Sequence, residues 1–272
     1  MRLKLVKIAA VAGAMTLALT GCSSSSDDAK TTEPAPEETA ILEIDPELSV
    51  FGAASLTEVL PEIDEDILQV DYPGMELTFN FGGSSGLVDQ LRGGAPADVL
   101  FTADEKNMNN ALADGLVTDP QPFTANTMVL IVPAGNPGNI TGFETEALDG
   151  SRLVVCAPEV PCGNATVQLS EINGVTIAPV SEEQSVNDVL AKVVNGEADA
   201  GLVYKTDAMR AGADVEIIEI PNADQVVNLY MVAITTNAAN PEGAQAFIDA
   251  VLSEAGQKAL QDAGFAPIPE ND

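Results

Sequence analysis

From Leu48 onward, hydrophobic and polar positions follow two different periods along the chain. Short runs rich in β-branched and aromatic residues predict strands at Leu48–Phe51, Glu76–Phe81, Val99–Phe101, Thr127–Val132, Leu153–Cys156, Thr176–Pro179, Ala200–Tyr204, Val215–Ile220 and Leu229–Ile234. Stretches with helical spacing of apolar residues predict helices at Ser55–Ile67, Gly86–Gly93, Asn107–Ala113, Asn164–Ile172, Val186–Gly196, Thr206–Ala211, Pro241–Leu252 and Glu254–Ala263. This alternation predicts an α/β fold with largely parallel sheets.

The first 43 residues have a different pattern. Three basic residues precede an apolar run from Ile8 to Thr20, an arrangement typical of a signal peptide and too short for a comfortable membrane span. The run ends in Leu-Thr-Gly-Cys, which resembles a bacterial lipobox. We therefore predict a lipoprotein signal peptide at residues 1–21, a lipidated Cys22, and a disordered polar tether over residues 22–43. The alternative is an ordinary signal peptide in which this cysteine is accidental.

Composition narrows the possible functions of the 272-residue chain. Eleven Lys and Arg stand against 42 Asp and Glu, a formal net charge of −31. Nucleic acids and anionic lipid surfaces are poor partners for such a chain, because both are bound through lysines and arginines. Histidine is absent from the sequence, which excludes Ser-His-Asp catalysis and histidine-ligated metals.

Two predicted strands lead directly into serines that begin a helix. Ser55 follows the first strand, and Ser84 follows the second after two glycines. Helix N-termini offer unpaired backbone N–H groups, so two such junctions in one lobe predict a neutral anion cradle. The alternatives are a capping box between Ser55 and Glu58 and a flexible turn at Ser84.

Three later junctions add further polar donors at strand ends. Cys162 lies in a proline-rich turn before a helix, Val186 begins another helix, and Tyr204 ends a buried strand. Open α/β sheets bind ligands at the carboxyl ends of their strands, so these positions are expected to meet. Asp98 and Asp104 are interpreted as turn and helix caps, and no cation site is assigned.

Five motifs stand at or near these junctions: Phe51-Gly-Ala-Ala-Ser55-Leu, Phe81-Gly-Gly-Ser84-Ser85, Gly94-Ala-Pro-Ala-Asp98, Val160-Pro-Cys162-Gly and Gly201-Leu-Val-Tyr204. In order and spacing they resemble the substrate-binding proteins of molybdate ABC transporters, over roughly residues 48–267. The resemblance implies a type II periplasmic-binding-protein fold of two lobes, each a mixed, mostly parallel sheet flanked by helices.

The resemblance also implies a ligand and a set of binding residues. Molybdate or tungstate would be bound by the hydroxyls of Ser55, Ser84 and Tyr204 and by the backbone N–H groups of Cys162 and Val186. Such a protein has no cofactor, is not an enzyme, and binds its metal only as the oxyanion. It would be a monomer, exported and lipid-anchored outside the cytoplasmic membrane, that delivers the anion to a membrane permease.

The same resemblance divides the folded part into two lobes. Lobe one is expected at residues 44–125 plus 231–272 and lobe two at residues 126–230. The strands Thr127–Val132 and Leu229–Ile234 fall where the family's two crossings between lobes lie.

Cys162 departs from the family pattern, which commonly has a small residue here. Cys156 lies six positions before it, across a Pro-Glu-Val-Pro turn, and an exported protein can be oxidised. We predict a disulfide that stiffens the loop offering the Cys162 amide, with two free buried thiols as the alternative.

Two other functions remain open at the level of sequence. One is a receptor for another tetrahedral oxyanion, such as sulfate or thiosulfate. The other, less supported, is a lipid-anchored enzyme that uses Tyr204 or Cys162, although neither has a plausible base beside it.

Overall fold

The computed structural model describes residues 46–269. The predictions of a signal peptide, a lipidated Cys22 and a tether concern residues that lie outside this range. Within it the strands are β1 (Glu47–Ala53), β2 (Glu76–Gly82), β3 (Val99–Thr102), β4 (Val117–Asn126), β5 (Met128–Pro133), β6 (Leu153–Cys156), β7 (Ser181–Glu183), β8 (Ala200–Tyr204), β9 (Val215–Ile218) and β10 (Asn228–Thr235).

Helices follow most of these strands. They are α1 (Val59–Ile63), α2 (Gln69–Asp71), α3 (Ser84–Arg92), α4 (Glu105–Ala113), α5 (Thr145–Leu148), α6 (Pro161–Asn173), α7 (Val186–Val194), α8 (Lys205–Ala211), α9 (Pro241–Leu252) and α10 (Glu254–Asp262). A 3-10 turn at Ala54–Leu56 follows β1, and a π-helical turn at Asp64–Leu68 joins α1 to α2.

The strands form two five-stranded sheets with the same internal order. The first is β2-β1-β3-β10-β4 and the second is β7-β6-β8-β5-β9. In each sheet four strands run in one direction, and the fourth in spatial order, β10 or β5, runs against them. The prediction of two mixed, mostly parallel sheets flanked by helices is confirmed. We call the two halves the first and second lobes.

The chain crosses between the sheets through short connections rather than through shared strands. It leaves the first sheet after Asn126, enters the second at Met128, and returns between Ile218 and Asn228. The predicted crossing strands Thr127–Val132 and Leu229–Ile234 therefore each belong to one sheet. Because residues 228–230 pair with β4, they lie in the first sheet and not in the second lobe as expected.

Two predicted elements need further correction. The strand expected at Thr176–Pro179 is absent, and β7 at Ser181–Glu183 pairs with β6 instead, because Thr176 N donates to Thr145 Oγ1 and Pro179 has no N–H to donate. Strand β4 was not predicted at all. It contains Pro120 and Pro122, which are tolerated because β4 is an edge strand.

Aromatic rings from β3, β4, α9 and β10 pack against one another in the core of the first lobe. Phe101 meets Phe123 edge-on with centroids 5.4 Å apart, and Phe247 at 5.7 Å. Phe123 in turn meets Tyr230 at 6.1 Å. These geometries are the preferred edge-to-face arrangements. They fix the position of the Tyr230 ring, which also contacts Tyr204 of the second lobe.

Candidate functional site

Four helices begin near the same place because their preceding strands end there. In the first lobe β2 leads through Gly83 into α3, while in the second lobe α6, α7 and α8 begin at Pro161, Val186 and Lys205. The first backbone N–H groups of an α-helix have no acceptor within the helix. Their convergence provides donors and the positive ends of helix dipoles without any charged side chain.

A small cavity lies where these helix starts meet, and both lobes contribute to it. Its walls are uncharged residues, namely Ala53, Ala54, Ser55, Gly82, Gly83, Ser84, Ala103, Pro161, Cys162, Val186 and Tyr204. All five binding residues expected from the sequence are among them, although they span about 150 positions of the chain. The structure thus brings together every member of the expected set.

Ser84 presents a hydroxyl whose acceptor side is already used. It is buried, at 1% exposure, and its Oγ accepts a hydrogen bond from Ala103 N at 3.0 Å. A serine hydroxyl has one proton to donate. The N–H of Ala103, which follows β3, uses one lone pair of the Ser84 oxygen. The hydroxyl proton remains to be donated to an acceptor in the cavity.

Ser55 does not form the capping box that its sequence context suggested as an alternative. No side-chain cap is made at the start of the 3-10 turn or of α1. Instead, Ser55 Oγ lies 2.7 Å from the hydroxyl of Tyr230 on β10. This partner was missed from the sequence because it is 175 positions away, and only the pairing of β10 with β3 brings it close.

Tyr204 has a buried hydroxyl that makes no hydrogen bond of normal geometry among the described residues. The Tyr230 hydroxyl is close enough to influence it but is bonded to Ser55. The ring of Tyr204 lies edge-on to that of Tyr230, with centroids 5.8 Å apart. Burial raises the pKa of Tyr204 well above its usual value, so the group is a neutral O–H donor at any physiological pH. Because an unpaired buried hydroxyl is costly, its position on the cavity wall points to a ligand acceptor as the missing partner.

The start of α6 is tied to the end of β6 by a disulfide. Cys156 and Cys162 are bonded, with Cα atoms 5.7 Å apart. Cys162 is the second residue of α6, so its backbone N–H belongs to the first turn that has no acceptor within the helix. Gly163 permits this tight loop, because a Cβ there would lie 1.9 Å from the carbonyl oxygen of Ala157.

The backbones of the two lobes come close together at Gly83, beside the cavity. A Cβ on this residue would lie 2.1 Å from the carbonyl oxygen of Gln184, in the second lobe. The glycine therefore allows the backbones of the two lobes to come together over the site.

The two acids singled out in the sequence serve the fold. Asp104 caps α4, as predicted, by accepting from Asn107 N at 3.0 Å. Asp98 is not the local turn cap that the sequence suggested, because it accepts from Ser49 N and Asn240 N at 2.7 and 2.9 Å, 49 and 142 positions away. Burial raises the pKa of Asp104. Over residues 46–269, no cluster of acidic or cysteine side chains could hold a metal ion, and no helix is long and apolar enough to cross a bilayer.

Two equivalent mixed sheets, with a neutral donor-lined cavity at the strand ends between them, define a two-lobed binding protein of the periplasmic type. A family model described as bacterial extracellular solute-binding protein matches residues 48–266. This chain therefore belongs to the bacterial extracellular solute-binding proteins. Membership makes it an extracytoplasmic solute-binding protein and not an enzyme, as the sequence predicted.

Similar proteins of known name agree with this assignment. The molybdate-binding protein ModA of Mycobacterium tuberculosis is 42% identical over 218 residues, 80% of this chain and 83% of that protein. The substrate binding domain of a putative molybdenum ABC transporter from Clostridium difficile has a TM-score of 0.60 at 27% identity, covering 82% of this chain and 99% of that one. The periplasmic molybdate-binding protein of Azotobacter vinelandii has a TM-score of 0.69 at 21% identity, covering 82% and 100%.

Proposed function

We propose that this protein captures molybdate or tungstate outside the cytoplasmic membrane and delivers it to an ABC permease. The observation that carries the proposal is the buried Tyr204 hydroxyl, which makes no hydrogen bond of normal geometry within residues 46–269 and lies on the wall of an uncharged, donor-lined cavity. The 42% identity to a molybdate-binding protein over most of the chain supports the same ligand.

The donors divide into side-chain and backbone groups. Ser55, Ser84 and Tyr204 would donate through hydroxyls, while Cys162 and Val186 would donate through backbone N–H groups of α6 and α7. An unprotonated tetrahedral dianion accepts at every oxygen and suits such a site, since hydrogen bonds to a charged acceptor are the stronger kind. Hydrogen phosphate carries its own proton, which would face a donor and weaken its binding.

Delivery and anchoring complete the proposal. Closure of the first lobe on the second would precede molybdate-dependent contact with a membrane permease. The first lobe would comprise residues 44–125 plus 231–272, together with residues 228–230, which pair with β4. Cys22, once the signal peptide is removed, would carry the lipid that holds the protein at the outer face of the membrane.

The ligand is tested by calorimetric titration of the purified protein with molybdate, tungstate, sulfate, thiosulfate and phosphate. We expect molybdate and tungstate to bind tightly and phosphate not to bind measurably. Tight binding of sulfate or thiosulfate, with weak binding of molybdate, would replace the proposed ligand by the alternative oxyanion.

The binding residues are tested by Tyr204→Phe and Ser84→Ala, each of which removes one hydroxyl donor. Loss of a hydrogen bond to a charged acceptor is worth about 1.5 to 3 kcal/mol, so each variant should weaken molybdate binding tenfold or more. Ser85→Ala is the matched control, because Ser85 is in the same turn but does not line the cavity. Equal affinities for Ser84→Ala, Tyr204→Phe and the control would contradict the assigned site.

A further inference from the structure

A side chain of the second lobe is hydrogen-bonded to the backbone of the first lobe beside the cavity. Asn187 follows Val186 at the start of α7, and its Nδ2 donates to the carbonyl oxygen of Ala54 at 3.1 Å and to Thr57 Oγ1 at 3.2 Å. Thr57 itself donates to the Ala54 carbonyl. The acceptors thus flank Ser55, so this contact joins the loops that carry two of the proposed binding residues.

The other side of the Asn187 amide is held by α8. Arg210 Nη2 donates to Asn187 Oδ1 at 2.7 Å and to Asp207 Oδ1 at 3.2 Å. Asp207 is fully buried, and its Oδ2 accepts from the backbone N of Tyr204 at 3.3 Å. The arrangement orients the Asn187 amide, because its oxygen faces the guanidinium and its NH₂ group must face the first lobe.

Arg210 is also the positive charge of this junction, although it does not line the cavity. Its Nη1 lies 3.9 Å from a carboxylate oxygen of Glu58 in the first lobe. Since the Glu58 side chain is 67% exposed, that ion pair contributes little to closure by itself. The guanidinium acts mainly through Asn187 and Asp207, to which it is bonded at shorter distances.

We propose that Asn187, oriented by Arg210 and Asp207, is a positioning residue that latches the two lobes around the bound oxyanion. The inference rests on the proposed function and assigns a role in it that the binding residues do not have. Opening of the lobes breaks both bonds from Asn187 Nδ2, whereas an anion that enters the open form meets no latch. The latch therefore sets the lifetime of the complex rather than the rate of its formation.

The test is stopped-flow measurement of molybdate association and dissociation with the full-length protein and Asn187→Ala. Loss of two interlobe hydrogen bonds should raise the dissociation rate about tenfold and leave the association rate within about twofold. Asn195→Ala, at the other end of α7 and exposed, is the matched control and should change neither rate. Arg210→Lys keeps the charge but loses the planar guanidinium that bonds Asn187 and Asp207, so it should also raise the dissociation rate.

A thermodynamic cycle separates positioning from general stability. In the Asn187→Ala/Arg210→Lys double variant we expect no further rise in the dissociation rate, because Arg210 acts through Asn187. The latch would be overturned if molybdate dissociated from Asn187→Ala at the wild-type rate, or if the two substitutions had additive effects in the double variant. Either result would leave molybdate binding itself intact. Failure of the wild-type protein to bind any oxyanion would overturn the proposed function and the latch with it.

Discussion

At the scale of single residues, two buried tyrosines with edge-to-face rings have different roles. The Tyr230 hydroxyl is satisfied by Ser55, whereas the Tyr204 hydroxyl makes no hydrogen bond of normal geometry among the described residues. Burial raises the pKa of both above the usual range, so both remain protonated. One phenol therefore holds a binding serine in place, and the other is itself left available to a ligand.

Asp207 gives the protein a stability that depends on pH. Burial raises the pKa of Asp207 to about 6. The ion pair with Arg210 lowers the pKa but offsets only part of the effect of burial. In the unfolded chain the carboxyl has its ordinary pKa of 3.8. Between these values the folded protein binds a proton that the unfolded chain releases. This contribution to stability is therefore present at low pH and is lost as the pH rises through about 6.

The prediction is tested by urea unfolding of the wild-type protein and Asp207→Asn at pH 7 and pH 5. The wild-type protein should gain about 1 kcal/mol relative to the variant on going from pH 7 to pH 5. Taking the difference cancels the contributions of other carboxyls, including Asp64 and Asp104. A difference that does not change with pH would show that Asp207 stays ionised in the folded protein.

At the scale of elements, the beginnings of helices form the site, and the start of α6 is the one held covalently. The disulfide closes a loop of only six positions between β6 and α6. By loop entropy alone so short a ring contributes about 2 kcal/mol to stability. A second effect is expected on binding, because the disulfide fixes the backbone N–H of Cys162 before the ligand arrives.

Cys156→Ser/Cys162→Ser should therefore lower the free energy of unfolding by about 2 kcal/mol and weaken molybdate binding severalfold. Chemical unfolding and calorimetry with and without reductant measure both effects. Reductant should change the wild-type protein in the same direction and leave the double variant unaffected. If the variant binds as tightly as the oxidised wild-type protein, the disulfide serves stability alone.

At the scale of the whole molecule, a chain of net charge −31 is proposed to bind a dianion. The two facts are compatible because surface charges are screened over about 8 to 10 Å at physiological ionic strength. Within the cavity the anion meets uncharged walls and oriented donors. Overall acidity therefore slows the encounter without preventing the bound state.

We expect the association rate for molybdate to rise as salt is increased from low to physiological concentration, because screening reduces the repulsion. The dissociation rate should change much less. Stopped-flow measurement at several ionic strengths, with a salt whose anion does not bind, provides the check. A rate that falls with salt would reveal a positive field at the entrance to the site.

The sequence by itself determined the fold class and the order of most elements, and it named five of the eleven residues that line the cavity. Local periodicity was sufficient for elements such as α9, predicted and found at Pro241–Leu252, because apolar spacing reports which face is buried. Local reasoning failed at β4, where Pro120 and Pro122 resemble a loop until an edge position accommodates them.

Only the tertiary structure decided what lies behind the site. Tyr230 reaches Ser55, and Asn187 reaches Ala54, across 175 and 133 positions of chain. Nothing in the local pattern around Tyr230 or Asn187 distinguishes it from an ordinary core tyrosine or helix-surface asparagine. Such contacts depend on how strands order within a sheet and how two lobes meet, and these are properties of the assembled chain rather than of any short segment.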